Sequence, residues 1–168
     1  TFALPVPALG GTPGARNSRY ESNTGPTFRE LLHAPILPTA ADAVTVSVLC
    51  DDPDGVAACT LRWALGSDWE QGESAAMQLL GDGRYAATIP ALSNDTIVQF
   101  YIEATDGQGA SAAYPPAGRD SRALYKVEKD EVKSVGLHDL RVIMTEADTN
   151  HLLKTTERMS NDRLGATV

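Results

Sequence analysis

The sequence predicts an all-β fold, an antiparallel β-sandwich, and three observations carry the prediction. Between Pro26 and Val127, short apolar segments alternate residue by residue with polar ones, the period of a strand with one buried face. The turns Asp51-Asp52-Pro53-Asp54-Gly55, Gly81-Asp82-Gly83 and Asp106-Gly107 punctuate those segments. Pro26, Pro35, Pro38 and Pro90 stand at segment ends, where they hold preceding residues out of helix and stop a hydrogen-bond ladder.

Each strand can be read from its own residues. The first covers Phe28 to His33, fenced by prolines. In the second, Val44, Val46, Val48 and Cys50 alternate with Thr45, Ser47 and Leu49. After the acidic turn, the third buries Cys59, Leu61 and Trp63 and faces Thr60 and Arg62 outward. Ala75 to Leu79 is a weaker strand, paired through Gly81-Asp82-Gly83 with Tyr85 to Ile89, which Pro90 ends. Ile97 to Thr105 is the most regular: Val98, Phe100, Ile102 and Ala104 stand opposite Gln99, Tyr101, Glu103 and Thr105, and alternation alone does not choose the inward set. The last strand, near Leu124 to Val127, follows the irregular Ala113-Tyr114-Pro115-Pro116-Ala117-Gly118. About seven short strands at this spacing describe an immunoglobulin or fibronectin type III-like sandwich, with Trp63 as its central core side chain.

Composition bounds the partners. The 168 residues suffice for one ordinary domain with extensions, and a sandwich of about 100 residues can bury a viable core. Acidic residues outnumber basic ones, 22 to 14, for a net charge of -8, which argues against nucleic acid and anionic membranes as partners. No apolar run is long enough to span a bilayer, and the opening Thr1-Phe2-Ala3-Leu4-Pro5 lacks the basic start of a signal peptide. The chain therefore reads as a piece of a longer protein.

Four segments follow: an irregular N-terminal extension over 1–25, the sandwich over 26–127, a charged linker over 128–136, and a strand and helix over 137–168. The extension is rich in Pro, Gly, Ser and Asn, and its glycines carry no Gly-Lys-Ser/Thr, so phosphate binding is not indicated. In the last segment Leu137 to Met144 reads as a strand. Thr145-Glu146-Ala147-Asp148 resembles a capping box opening a short helix through about Lys154, and Leu164 to Val168 begins another strand. These elements are too few to enclose a core, so a protease is expected to cut between Glu128 and Val135 and release the sandwich.

Two resemblances cover the ends. Thr12 to Ser18, Thr-Pro-Gly-Ala-x-Asn-Ser, is similar to the closing signature of bacterial lamin-tail domains. Leu140-Arg141-Val142-Ile143-Met144-Thr145-Glu146-Ala147, with Arg158-Met159-Ser160-Asn161 and Gly165-Ala166-Thr167-Val168, resembles the beginning of the CotH family of spore-coat and kinase-like proteins. The middle resembles the immunoglobulin-like domain often found between such units, through Pro26-x-Phe28-x-x-Leu31-x-His33-x-Pro35, Asp54-Gly55-Val56, Asp82-Gly83-x-Tyr85 and Phe100-Tyr101-Ile102. The resemblance implies a bacterial multidomain protein. The kinase-like family's nucleotide- and metal-binding residues lie downstream of the matched opening, so none is assigned here.

Candidate sites are few. His33, His138 and His151 fall in three segments without the spacing of a helical zinc site, and no Gly-x-Ser-x-Gly is present. Glu70 and Glu73 read as solvated surface rather than a sugar-hydrolysing pair. In an immunoglobulin topology the loops after the second and sixth strands meet, which places Asp51, Asp52 and Asp54 near Asp106; the group suits calcium, or the local hydrogen bonds for which turns favour Asp. Cys50 and Cys59 sit at inward positions of consecutive strands and read as a disulfide or as two buried thiols. Trp69 and Tyr114 are the candidate ligand contacts, for a sugar or a protein partner, or else rings that cap the core edge.

The function these readings predict is a non-catalytic spacer or interaction domain of a secreted or cell-surface bacterial protein, with the neighbouring domains of the same chain as its partners. The alternatives are a carbohydrate- or protein-binding adhesion module, and an accessory fragment of a CotH-type protein whose catalytic residues lie elsewhere.

Overall fold

The computed structural model describes residues 20–128, 142–154 and 166–167. The Thr12–Ser18 and Arg158–Asn161 motifs, the site of expected proteolysis and His138 lie outside them. Two antiparallel sheets face each other. The first joins β1 (Thr27–Ala34), β2 (Val44–Asp51), β6 (Arg84–Ile89) and β5 (Gln78–Gly81) in the order β1-β2-β6-β5. The second joins β4 (Glu73–Ala76), β3 (Val56–Leu65), β7 (Ile97–Asp106) and β8 (Ser111–Tyr114), with β9 (Ala123–Lys126) also paired to β7. This is the four-against-three arrangement of an immunoglobulin-type sandwich with one strand, β4, added to the second sheet.

Alternation fixes the core. Val44, Val46, Val48 and Cys50 of β2 meet Cys59, Leu61 and Trp63 of β3 and Val98, Phe100, Ile102 and Ala104 of β7. The inward set of β7 is thereby settled. Trp63 is 5% exposed and Leu61, Ile102 and Val98 are fully buried. Tyr125 of β9 closes the far end, where His33 stacks on it with ring centroids 5.5 Å apart.

Two elements differ from the sequence reading. The weak strand expected over Ala75 to Leu79 is two strands that change sheets at Met77. The Met77 N–H donates to the Cys59 carbonyl at 2.8 Å while its side chain enters the core, so β4 ladders with β3 and β5 with β6. The expected hairpin survives in β5 and β6, turned by Asp82 at φ 49° and Gly83 at φ 74°. The final strand is also divided. β8 pairs with residues 102–105 of β7 and β9 with residues 97–100, and the Pro115–Arg122 excursion, containing a short 3-10 turn, lies between them.

Residues 20–25, assigned to the extension, lie against the sandwich. A Cβ on Gly25 would fall 2.5 Å from the Ser111 carbonyl carbon, so only glycine permits this approach to β8. Beyond the sandwich, β10 (Ile143–Met144) pairs with β11 (Ala166–Thr167), and α1 spans Glu146–Leu153. The expected cap is present: Thr145 Oγ accepts the Asp148 N–H at 3.2 Å and donates to its carboxylate at 2.7 Å.

Candidate functional site

The acidic turn and the β7–β8 turn meet at one end of the sandwich. The Gly107 N–H donates to the Gly55 carbonyl at 3.0 Å, and a Cβ on Gly107 would lie 2.7 Å from the Asp54 carbonyl oxygen. One carboxylate oxygen each of Asp52, Asp54 and Asp106 falls within 4.8 Å of the others. Asp51 is a correction to the expected group. It follows the inward Cys50, so the period of two points it to the opposite face, where it is exposed.

Local bonds already use much of this oxygen. Asp52 Oδ1 accepts the Asp54 N–H at 2.8 Å. Asp106 Oδ1 accepts the Gln108 and Ala110 N–H groups at 2.8 and 2.9 Å, and its Oδ2 accepts the Asn23 amide at 2.7 Å. Burial pushes the Asp106 pKa up, but the hydrogen bonds donated to it, those from Asn23, Ala110 and Gln108 foremost, together outweigh it and hold the carboxyl below the usual carboxylate range. Asp106 therefore serves as an ionised cap that ties β7, β8 and the N-terminal segment together.

The two cysteines are free thiols, not the disulfide that was one expectation, and both are buried. Both belong to the sandwich core, where Cys59 Sγ lies 3.5 Å from Met77 Sδ.

Trp69 and Tyr114 are not brought together. Tyr114 is in register with Ile102, so it leans to the core side, where it stacks on Phe28 with centroids 5.8 Å apart. Trp69 packs on Tyr101, 5.2 Å between centroids, and Tyr101 belongs to the outward set of β7. Arg62 and Glu103 form an ion pair on that same outward face. Glu70 and Glu73 are exposed, as expected. Burial lowers the His33 pKa against the weaker opposing effect of the Pro35 carbonyl, which suits a ring packed on Tyr125 rather than an acid–base group.

A further contact was not legible in the sequence. On the outward face of the second sheet Ala64, Gln99 and Leu124 are buried, although strand alternation aims them away from the sandwich core. Beside them Arg122 donates to Asp148 of α1 at 3.0 Å, with both side chains 17% exposed. Val142, Ile143, Met144 and Thr149 share a hollow with Ile97 and Lys126. The C-terminal elements thus form a partial third layer on β7 and β9. No spacing announces the pair, since 26 residues separate its members.

Fold and topology define an immunoglobulin-type sandwich. Among solved structures the chain is similar to the fn3 domain of the human collagen alpha-1(XX) chain, with a TM-score of 0.47 and 20% identity over 71% of this chain and 100% of that one. It is also similar to a crystal structure of a bromine derivative of BhCBM56, with a TM-score of 0.41 and 10% identity over 63% of this chain and 96% of that one. No protein-family model matches the chain. No curated protein is a significant match. Among the described residues no helix is long and apolar enough to cross a membrane.

Proposed function

We propose that this domain is a non-catalytic spacer that holds the segment following it in a fixed orientation, within a secreted or cell-surface bacterial protein. The observation that carries the reading is the Arg122–Asp148 pair, which joins the residue just before the last sandwich strand to the first turn of α1. No residue of α1 is buried and Leu152 and Leu153 are exposed, so little apolar packing holds the helix in place. A charge-assisted bond at low exposure contributes roughly 1.5–3 kcal/mol, enough to decide the position of so lightly packed an element. The lamin-tail and CotH resemblances supply the identity proposed for the neighbours. In this reading Asp52, Asp54 and Asp106 cap loops and do not form a calcium centre.

The test is hydrogen exchange on the full chain. Arg122→Ala should speed exchange of the α1 amides by about tenfold or more and leave the amides of β2, β3 and β7 unchanged. Unchanged exchange in α1 would show that the pair does not hold the helix.

One observation favours a second reading, a carbohydrate-binding face. Trp69 is half-buried and packs on Tyr101, which is in register with Arg62 of the Arg62–Glu103 pair, so an aromatic platform and a polar pair share one face, the kind of surface sugars stack on. Titration with soluble oligosaccharides should quench or shift tryptophan fluorescence if this face binds them, and Trp69→Ala should abolish the change. A flat titration removes the reading.

A further inference from the structure

We propose that the open edge of β4 is an acceptor for an extended basic peptide, which adds to the second sheet as a further strand. The inference is independent of how the tail docks, since β4 ends its sheet on the side away from β8. The change of sheets at Met77 creates the acceptor. In an antiparallel ladder successive residues turn their N–H and C=O groups alternately toward the partner strand and away from it. The Met77 N–H reaches the Cys59 carbonyl, and the same register pairs Ala75 with Leu61 and Glu73 with Trp63, so these residues bond to β3. The backbone groups of Ser74 and Ala76, between them, face away from β3, and among the described residues no strand lies on that side. The same event leaves β6 open. The Gly83 carbonyl accepts the Cys50 N–H, which sets Tyr85, Ala87 and Ile89 toward β2 and Arg84, Ala86 and Thr88 away from it. Gln78 of β5 meets Ala86, but the residue that would next meet Thr88 is Ala76, which belongs to the other sheet.

A groove of about 360 Å³ is bounded by both edges, with Ala75 and Ala76 from one, Ala86 and Thr88 from the other, and Leu80, which is 67% exposed. Charge selects the occupant. From Trp63 to Gly83 the chain carries Asp68, Glu70, Glu73 and Asp82 and no Lys or Arg. The flanking cations are engaged elsewhere, Arg62 with Glu103 and Arg84 with Glu30. Glu73 opens β4, shares a second hollow with Asp68, and has no ion-pair partner among the described residues. A second copy of the chain would bring the same uncompensated charge to the edge, and a net charge of -8 opposes that pairing. An extended peptide that alternates basic and β-branched residues meets every requirement. Its backbone bonds to Ser74 and Ala76, its β-branched side chains lie along the groove, and its ammonium groups enter the field of Glu73 and Asp68.

The experiment titrates the isotope-labelled full chain with acetyl-Lys-Val-Lys-Val-Lys-Val-amide and follows amide shifts and exchange. The Ser74 and Ala76 amides should shift, and near saturation they should exchange at least about tenfold more slowly. Acetyl-Lys-Pro-Lys-Pro-Lys-Pro-amide carries the same charge but cannot pair as a strand, and it should bind roughly tenfold more weakly or worse. Ala76→Pro removes an outward N–H and no bond to β3, so it should weaken binding by a similar factor. Glu73→Gln keeps the backbone intact and should weaken binding while reducing its dependence on salt. Equal binding of the two peptides would reduce the effect to charge attraction and overturn the proposal. So would unchanged Ser74 and Ala76 amides at about 1 mM peptide, or a dimer through this edge in sedimentation velocity without peptide.

Discussion

At Asp106 a carboxylate that is 2% exposed is held by three donated hydrogen bonds, and its ionised form is the one the fold needs. A carboxyl whose pKa is depressed on folding contributes stability that is fully present above its unfolded pKa and is lost as pH falls through the folded value. Urea-unfolding midpoints from about pH 7 to about pH 3 should therefore fall on the acid side, and Asp106→Asn should flatten part of that slope. A slope identical in the variant would remove Asp106 as its source. Trp63 makes the simpler prediction. Truncating it between the two sheets should cost about 3–5 kcal/mol in equilibrium unfolding, and a loss below about 1 kcal/mol would contradict its place in the core. The inward position of Trp63 and the approach of Asp54 to Asp106 were legible, because a period of two and a sandwich topology determine both. The Asn23 amide on Asp106 was not, because nothing local in a glycine-rich extension says which distant turn it will reach.

At the scale of elements, what the sequence concealed follows from long-range pairing. Alternation over Ala75 to Leu79 is as compatible with one strand as with two, and the choice is made by the Cys59 carbonyl taking the Met77 N–H and by the core receiving its side chain. The divided last strand has the same cause, since β8 offers only Ser111-Ala112-Ala113-Tyr114, a weak pattern that becomes a strand by completing the β7 edge. The segment before β1 is docked by shape. Gly25→Ala would drive a methyl into the backbone of Ser111, which cannot rotate away as a side chain could, so the variant should lose roughly 1–3 kcal/mol. Ser22→Ala, at an exposed position, should stay within about 0.5 kcal/mol of the parent. Equal stability of the two variants in denaturant titrations would show that residues 20–25 are not packed on β8.

At the scale of the whole molecule, the elements of the C-terminal segment were readable while their placement was not. The Thr145 cap, the helix and the strand before it follow from local chemistry. Their docking involves Arg122, a charged residue outside any regular pattern. Gln99, whose strand offered two faces that alternation alone could not tell apart, lies on the outward one and is fully buried. The central claim is that the sandwich and the segment over 143–153 have one fixed mutual orientation, and residual dipolar couplings of the full chain in a weakly aligning medium test it directly. Couplings from β2, β3 and β7 and those from α1 should fit a single alignment tensor of one magnitude. A separate tensor of reduced magnitude for α1 would mean that the segment reorients on its own, and the sandwich would then be a tether without an orienting role.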